Sequence, residues 1–326
     1  MARIFVSCRI FPDEVARLER AGHEVEMYPG DMIPREELLR GVSSADVLIC
    51  PLSTKVDGEV FSSAPHLKIV ANLGVGVDNI DLGEARARKV LVLNTPGVLT
   101  ETVADLAFAL MLAVARRIVE LDKRLRADGF PGWSFMPRYL GRDVWGTTLG
   151  IVGLGRIGGA IARRAKCFSM EVLYHSRTRK PDLEEELGCR YVGLDELLRE
   201  SDFVVLCTPL TPETHHLIGE RELSLMKDTA YLVNISRGPV VDEAALVRAL
   251  REGRIAGAAL DVFEREPEIH PGLPELDNVV LTPHIGSATT GTRRRMAALA
   301  VDGVLAALRG ERPANLVEPD VWPGKL

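Results

Sequence analysis

The chain of 326 residues contains no glutamine and five cysteines. Those cysteines, Cys8, Cys50, Cys167, Cys189 and Cys207, form no C-x-x-C pair and mostly fall in apolar strand or helix patterns. That excludes a thiolate metal framework and predicts reduced, buried thiols in place of disulfide staples. An excess of positive charge is missing too: 40 basic against 46 acidic side chains give a net charge of −6. There is therefore no general electrostatic case for a nucleic acid or an anionic membrane as partner. The basic run Arg293, Arg294 and Arg295 has no stacking aromatics beside it and reads as a solvated helix face. The longest uncharged run, residues 106–115, is too short to cross a bilayer and is followed at once by Arg116 and Arg117. The first residues, MARIFVSCRIF, enter an apolar strand pattern with no charged region, hydrophobic region or cleavage site. A cytoplasmic location is expected. The missing glutamine matches the depletion of thermolabile amides in thermophile proteins, although the arginine richness equally reflects nucleotide composition. Internal repeats and low-complexity segments are absent by inspection.

What is present is a chain of two-domain length, 46% hydrophobic, with ample material for real cores. Strand-like runs alternate with helix-like ones. Strands are predicted at residues 4–8, 24–27, 47–50, 67–71 and 90–93, with helices at 13–21 and 36–42. That rhythm argues for a parallel α/β sheet in the first hundred residues. Pro96 and Gly97 close this domain, and a helical pattern starts near Thr100 or Thr102, where Thr102 and Asp105 resemble a capping box. Continued to Asp128, it would be a single helix of about 40 Å. Its first half is apolar around most of its circumference, which predicts burial on several sides. A loop rich in glycine, proline and aromatics, residues 129–141, follows.

The stretch TTLGIVGLGRIGG at residues 147–159 joins an apolar strand to a glycine-spaced turn and a helix. Gly153, Gly155 and Gly158 have the G-x-G-x-x-G spacing, and a second strand at residues 171–174 arrives where a βαβ unit requires it. The three glycines serve three separate ends, namely a tight turn, close approach of a pyrophosphate to bare backbone, and close packing of helix on strand. A dinucleotide is the expected ligand, its phosphates at the positive end of a helix dipole. The second strand is followed by Ser176, Arg177, Thr178, Arg179 and Lys180, with no carboxylate before Asp182. An NAD-specific unit would place an acidic group there for the ribose 2′-hydroxyl; two hydroxyls and several cations suit a 2′-phosphate, or form a solvated turn that accepts either cofactor. NADP(H) is the expected cofactor, with NAD(H) accepted as well.

Further strands are predicted at residues 203–207, 230–235, 257–260 and 279–281. Their exit loops carry Thr208 with Pro209, Ser236 with Arg237, Asp261 with Glu266, and Pro283 with His284. In a doubly wound sheet these loops collect at one edge. Arg237, Glu266 and His284 are the ionisable candidates. A protonated histidine delivers a proton to a carbonyl oxygen, a carboxylate orients it, and arginine offers a planar fork to an acid group. Singly, each also reads as a strand cap, a solvated carboxylate or a packed loop histidine. In the first domain, the turn NLGVGVD at residues 72–78 offers bare amides near Gly74, Val75 and Gly76 to a small anion, or is simply a structural turn. The last helix, about residues 292–309, and the tail 313–326 are expected to pack back onto the first domain, making it discontinuous in sequence.

Five motifs, NLGVGVDNID, GLGRIG, NISRGPVVDE, LDVFEREP and LTPHIGSAT, occur in this order along nearly the whole chain. The chain thereby resembles the NAD(P)-dependent D-2-hydroxyacid dehydrogenases, and most closely their glyoxylate/hydroxypyruvate reductase branch. The resemblance implies an α/β protein of two Rossmann-like or flavodoxin-like doubly wound parallel-sheet domains. The substrate domain would comprise residues 1–98 and 288–326, and the dinucleotide-binding domain residues 99–287. It implies reduction of a small 2-oxo acid, with Arg237 binding and polarising it, Glu266 supporting the histidine and His284 donating the proton. Val75 and Gly76 would hold the substrate carboxylate, with Leu52 and Ser53 lining the pocket. Cofactor contacts would come from Gly153, Leu154, Gly155, Arg156, Ile157, Gly158, Ser176, Arg177, Thr178, Thr208, Pro209, Ile235, Ser236, Asp261 and Gly286. No metal is implied. A homodimer is, through the long helix and the loop bearing Trp133. D-3-phosphoglycerate dehydrogenase is the near rival, although many such chains carry an extra C-terminal domain not seen before Leu326. Formate dehydrogenases carry glutamine where Glu266 stands. A nucleotide-sensing corepressor sharing the fold is the alternative outside the enzymes, since fold alone does not settle function.

Overall fold

The computed structural model describes residues 1–135 and 139–322. Parts of the loop 129–141 and of the tail 313–326 thus lie outside the described residues. The chain forms two compact units, Met1–Leu99 with the segment from Ala288 onward, and Thr100–Ser287.

The first unit alternates strand and helix: β1 (Arg3–Val6), α1 (Pro12–Arg20), β2 (Glu24–Met27), α2 (Arg35–Val42), β3 (Val47–Pro51), α3 (Gly58–Ser63), β4 (Ile69–Leu73), α4 (Leu82–Ala87) and β5 (Leu91–Leu93). Its five strands are all parallel, in the order β2-β1-β3-β4-β5. Because crossover helices cover both faces of such a sheet, its strands read as continuous apolar runs. Alternate residues go to opposite sides. Ile4, Val6, Ile49 and Ile69 share one core with Leu18 of α1, and Phe5, Leu48 and Val70 share another with Leu38, Val60 and Phe61. Helix starts are fixed by local chemistry: the Asp57 and Asp81 carboxylates accept the backbone N–H groups of Val60 and Glu84, each cap being worth about 1 kcal/mol.

In the second unit come α5 (Thr100–Ala115), α6 (Ile118–Asp128), β6 (Thr148–Val152), α7 (Arg156–Cys167), β7 (Glu171–His175), α8 (Pro181–Leu187), β8 (Arg190–Tyr191), α9 (Leu194–Glu200), β9 (Phe203–Leu206), α10 (Glu220–Leu225), β10 (Tyr231–Asn234), α11 (Glu243–Arg251), β11 (Gly257–Leu260) and β12 (Val279–Leu281). These seven strands are parallel in the order β12-β11-β10-β9-β6-β7-β8. The order reverses direction at β6, so the crevice beyond the ends of β6 and β9 is the switch point where open sheets take ligands. The chain then returns to the first unit through α12 (Thr290–Leu308), whose Ala300, Val301 and Val304 fill the core beside Ile4 and Ile69. The two-domain parallel α/β architecture is the one expected from the alternation of strands and helices.

Three expectations are corrected, and one strand was not expected. The single 40 Å helix is two helices, broken at Arg117, whose φ is 54°. Up to Ala115 the helix is apolar and packs on β10, β11 and β12; beyond it the sequence is mostly charged, and only Glu120 is buried. Glu120 accepts two hydrogen bonds from Arg117, at 2.6 and 2.8 Å, and thereby ties down the break. Thr102 lies inside α5 and is not at its start. β8, with α8 and α9 around it, carries no periodic signal because it is a two-residue, exposed edge strand. Cys167 is exposed and Cys207 half-buried, while Cys8, Cys50 and Cys189 are buried; all five are free thiols. Among the described residues no helix is long and apolar enough to cross a membrane.

Candidate active site

All the exit loops of the second unit leave the carboxyl edge of its sheet, since every strand there is parallel. At the switch point the glycines of the β6 turn divide the work. Gly153 has φ 102°, and a Cβ there would lie 2.9 Å from the Cys207 carbonyl. A Cβ on Gly158 would sit 2.3 Å from the Gly153 oxygen, so α7 can close onto β6 only with glycine there. At Gly155, by contrast, a Cβ would meet nothing within 4 Å. Gly155 is the N-cap of the twelve-residue α7, makes no side-chain cap and has no acidic residue in the turn that follows. Open space over unpaired amides at a helix start fits a pyrophosphate. Beside it the Thr208 hydroxyl oxygen is buried and has no hydrogen-bond partner among the described residues, which a ligand's polar group would relieve. Leu154 and Gly158 are buried, Ile157 is half-buried and Arg156 is exposed. The residues present fit a dinucleotide.

In the turn after β7, Arg179 is committed elsewhere. It binds both oxygens of Glu184 at 2.8 Å, and Arg179 and the Tyr174 hydroxyl together hold that carboxyl down to about 2. Ser176 donates to the Thr178 carbonyl at 2.6 Å. Arg177 is exposed, close enough to Glu213 for its charge to act there. Of the cations expected to serve one phosphate, the structure thus leaves Arg177 and Lys180.

The three ionisable candidates come from adjacent strands. His284 Nδ1 is 3.0 Å from Glu266 Oε2, and the Phe263 N–H donates to Glu266 Oε1 at 3.1 Å. Burial pushes the Glu266 carboxyl up, but the hydrogen bond and charge of His284, the Phe263 N–H and the charge of Arg237 outweigh it, leaving the carboxyl below its ordinary value. Glu266 is therefore an ionised partner for the imidazole ring. Arg237 is held by backbone: its Nη1 donates to the Ser236 carbonyl at 2.8 Å. Asn234 shapes that turn, its Oδ1 accepting from the Ser236 N–H and hydroxyl and its Nδ2 donating to the Arg237 carbonyl at 3.0 Å. Asn234 opens the NISRGPVVDE motif, yet the sequence expectations assign it no role. The signal was available, because an asparagine side chain folds backbone two or three residues on into a turn. Ile235 is buried and Pro209 exposed, the Pro209 carbonyl accepting from Thr214.

Asp261, expected among the cofactor contacts, is buried. Its Oδ1 accepts from the Thr282 hydroxyl at 2.7 Å and the Ile285 N–H at 2.8 Å, and its Oδ2 from the Gly286 N–H at 2.8 Å. Burial pushes this carboxyl above its ordinary value against the pull of those donors. Asp261 thus folds the loop around His284, whose φ is 52°.

In the first unit, the turn after β4 brings together the other candidates. Its carbonyls are taken in sequence: Gly74 O accepts from the Thr95 N–H at 2.8 Å, Val75 O from Asn94 Nδ2 at 2.8 Å, and Gly76 O from Asn72 Nδ2 at 2.7 Å. A trans peptide points its N–H opposite its C=O, so the Val75, Gly76 and Val77 N–H groups all face away from these anchors. None of the three has an acceptor among the described residues. Asn79 steadies Asn72, donating to its Oδ1 at 3.2 Å and to the Thr54 carbonyl at 2.9 Å. Leu52 lies over Gly74, where a Cβ would come within 2.5 Å of it, and Ser53 is exposed beside it. Asn72 and Asn79 stand in the motif NLGVGVDNID, but no local pattern assigns their side chains to this turn, and Asn94 reaches it from the end of the next strand.

Comparison with known proteins agrees with this chemistry. Residues 108–286 match the family described as D-isomer specific 2-hydroxyacid dehydrogenase, NAD binding domain. A glyoxylate reductase of Thermococcus gammatolerans is 53% identical over 323 residues, which covers 98% of this chain and 96% of the relative. Among solved structures, an NADPH-dependent glyoxylate/hydroxypyruvate reductase from Sinorhizobium meliloti, in complex with NADP and malonate, superposes with a TM-score of 0.86 at 35% identity over 98% of both chains. A D-lactate dehydrogenase from Aquifex aeolicus, complexed with NAD and lactic acid, gives 0.85 at 34% identity, covering 97% of this chain and 98% of that one. With the family model matching more than half of its length, the chain belongs to the D-isomer specific 2-hydroxyacid dehydrogenases, and its second unit carries their NAD-binding domain.

Proposed function

We propose that this protein reduces glyoxylate and hydroxypyruvate to glycolate and D-glycerate, using NADPH at least as well as NADH. The nicotinamide, when bound, supplies the hydride. Arg237 binds the acid end of the 2-oxo acid and polarises its carbonyl. His284, protonated, gives a proton to the carbonyl oxygen as its carbon becomes saturated. Since Nδ1 faces the carboxylate of Glu266, which fixes the ring's orientation, the proton leaves from Nε2. The pairing of His284 with Glu266 at 3.0 Å, within reach of Arg237's charge, carries this reading. In the first unit, the Val75 and Gly76 amides take the substrate carboxylate and Leu52 and Ser53 line its pocket, so this unit is the substrate domain. Support comes from the three carbonyl anchors that turn those amides outward.

Ser176, Arg177 and Thr178 are assigned to the 2′-phosphate, and the remaining β6, β9 and β10 loop residues to the rest of the dinucleotide. A cytoplasmic homodimer belongs to the same proposal, supported by the strongly exposed Phe130, Trp133, Phe135 and Trp145. Light scattering is then expected to give twice the 35.7 kDa chain mass.

The test is a steady-state panel of glyoxylate, hydroxypyruvate, pyruvate, phosphohydroxypyruvate and phenylpyruvate with both reduced cofactors. Glyoxylate and hydroxypyruvate are expected to give the highest kcat/KM. Phenylpyruvate or phosphohydroxypyruvate far ahead of both would overturn the substrate assignment, and NADH favoured by more than about tenfold would overturn that of the cofactor.

A further inference from the structure

One carboxylate outside the acid–base group joins three exit loops. Glu264 Oε2 accepts the Glu243 N–H at 3.2 Å, while the Glu264 N–H donates to Glu243 Oε1 at 2.8 Å. This reciprocal pair fastens the β11 loop to the start of α11, which follows the turn bearing Arg237. Glu264 Oε1 lies 3.2 Å from His216 Nε2, and the His216 N–H donates to the Pro239 carbonyl at 2.7 Å, bringing in the β9 loop. Contact at this seam is close: a Cβ on Gly238 would fall 1.8 Å from the Phe263 carbonyl carbon and 2.4 Å from the Glu264 nitrogen. The same Phe263 donates its N–H to Glu266. Two residues upstream of Glu266, then, the chain is pinned from one side by α11 and from the other by the turn of Arg237. Asp261 makes the complementary joint, from β11 to the loop of His284.

We infer that Glu264, with Glu243, is a positioning residue for hydride transfer. It sets the separation between the Arg237 turn and the Glu266 loop, and so the place at which the His284 proton meets a substrate held by Arg237. Glu243 is buried and burial raises its carboxyl, with the Glu264 and His270 backbone pulling the other way, so this joint is kept at some cost in desolvation. A displacement of about 1 Å at such a distance from the chemistry is enough to cost up to a hundredfold in rate. The inference rests on the acid–base reading of His284 and Glu266 proposed above.

Glu264→Ala, Glu264→Gln, Glu264→Asp and His284→Ala are to be compared in one assay, with kcat and KM for glyoxylate, the dissociation constant of NADPH and the melting temperature for each. Glu264→Ala is expected to lose about ten- to a hundredfold in kcat with NADPH binding within about threefold of native. Glu264→Gln, which keeps an acceptor for the Glu243 N–H, should recover most of that loss. A purely structural role would lower the melting temperature without this kcat-specific loss and rescue. If Glu264→Ala does not fold, Glu264→Asp decides: one methylene short, it should lose kcat while staying folded. Native kcat in Glu264→Ala, or in a folded Glu264→Asp where Ala fails, overturns the inference, as does a glutamine variant no better than alanine. Should His284→Ala remain active, the acid–base reading falls and this inference with it. An inactive His284→Ala beside a native-like Glu264→Ala removes the inference alone.

Discussion

The turn after β4 and the loops after β10, β11 and β12 prepare polar groups by opposite means. In the first unit the anchors of this turn are neutral: Asn72, Asn79 and Asn94 hold carbonyls, and the Val75, Gly76 and Val77 N–H groups have no acceptor among the described residues. In the second unit Asn234 shapes the turn of Arg237, but carboxylates anchor the loops of Glu266 and His284, and the side chains so placed are ionisable. Amides have no titration in the ordinary range, so an anion nest built from them works alike at any pH that keeps the fold. Charged anchors add strength and set protonation states, but bind function to pH. On the proposed assignment, recognition is insulated from acidity and proton transfer is exposed to it.

The largest expected effect tests the charged side. His284→Ala should lose at least about a hundredfold in kcat while NADPH affinity stays within a few-fold; near-native turnover would remove proton donation from the comparison altogether. Next comes Arg177→Ala, expected to weaken kcat/KM for NADPH selectively by about 1.5–3 kcal/mol, the scale of a hydrogen bond to a charged group. An equal loss with NADH would make that turn merely solvated. On the neutral side, Asn94→Ala frees the Val75 carbonyl, and a loss of about 1 kcal/mol corresponds to about a fivefold rise in glyoxylate KM with kcat nearly native. A fall in kcat with KM unchanged would show that the nest acts on chemistry and not on binding alone.

The smallest effect concerns acid stability. Glu266 is held below its ordinary value of 4.5 in the folded chain, so between the two values the unfolded state binds more protons and stability rises with pH. Its contribution is present above 4.5 and lost as pH falls through the folded value. Melting temperatures taken from about pH 3 to about pH 7 should fall more steeply in acid for the native protein than for Glu266→Gln. Equal slopes would mean that the His284 contact leaves Glu266 unperturbed.

Much of this could be read before any coordinates. Strand runs such as VLIC and FVVL declare themselves through burial on both faces, and G-x-G-x-x-G, Arg237, Glu266 and His284 sit at strand ends that a parallel sheet must bring to one edge. The anchors could not be read this way. Asn72 and Asn94 meet at one turn, and Glu243 meets Glu264, only because strands four and five, or ten and eleven, pair in a particular register. A register joins positions about twenty residues apart without a local pattern. The break at Arg117 was hidden for a different reason: an arginine takes the left-handed region there, where glycine or asparagine would have announced it.

His284 takes that same left-handed region, with φ 52°, and is not glycine, asparagine or aspartate. A side chain in such a conformation costs on the order of 1 kcal/mol, so the residue proposed to donate the proton occupies a position that folding alone would give to something else. Selection for thermal tolerance with no demand for turnover should therefore drift toward glycine or asparagine at 284, yielding sturdier proteins that have lost their reaction. A laboratory lineage evolved in that way would show whether activity at this position has to be defended continually against the fold that carries it.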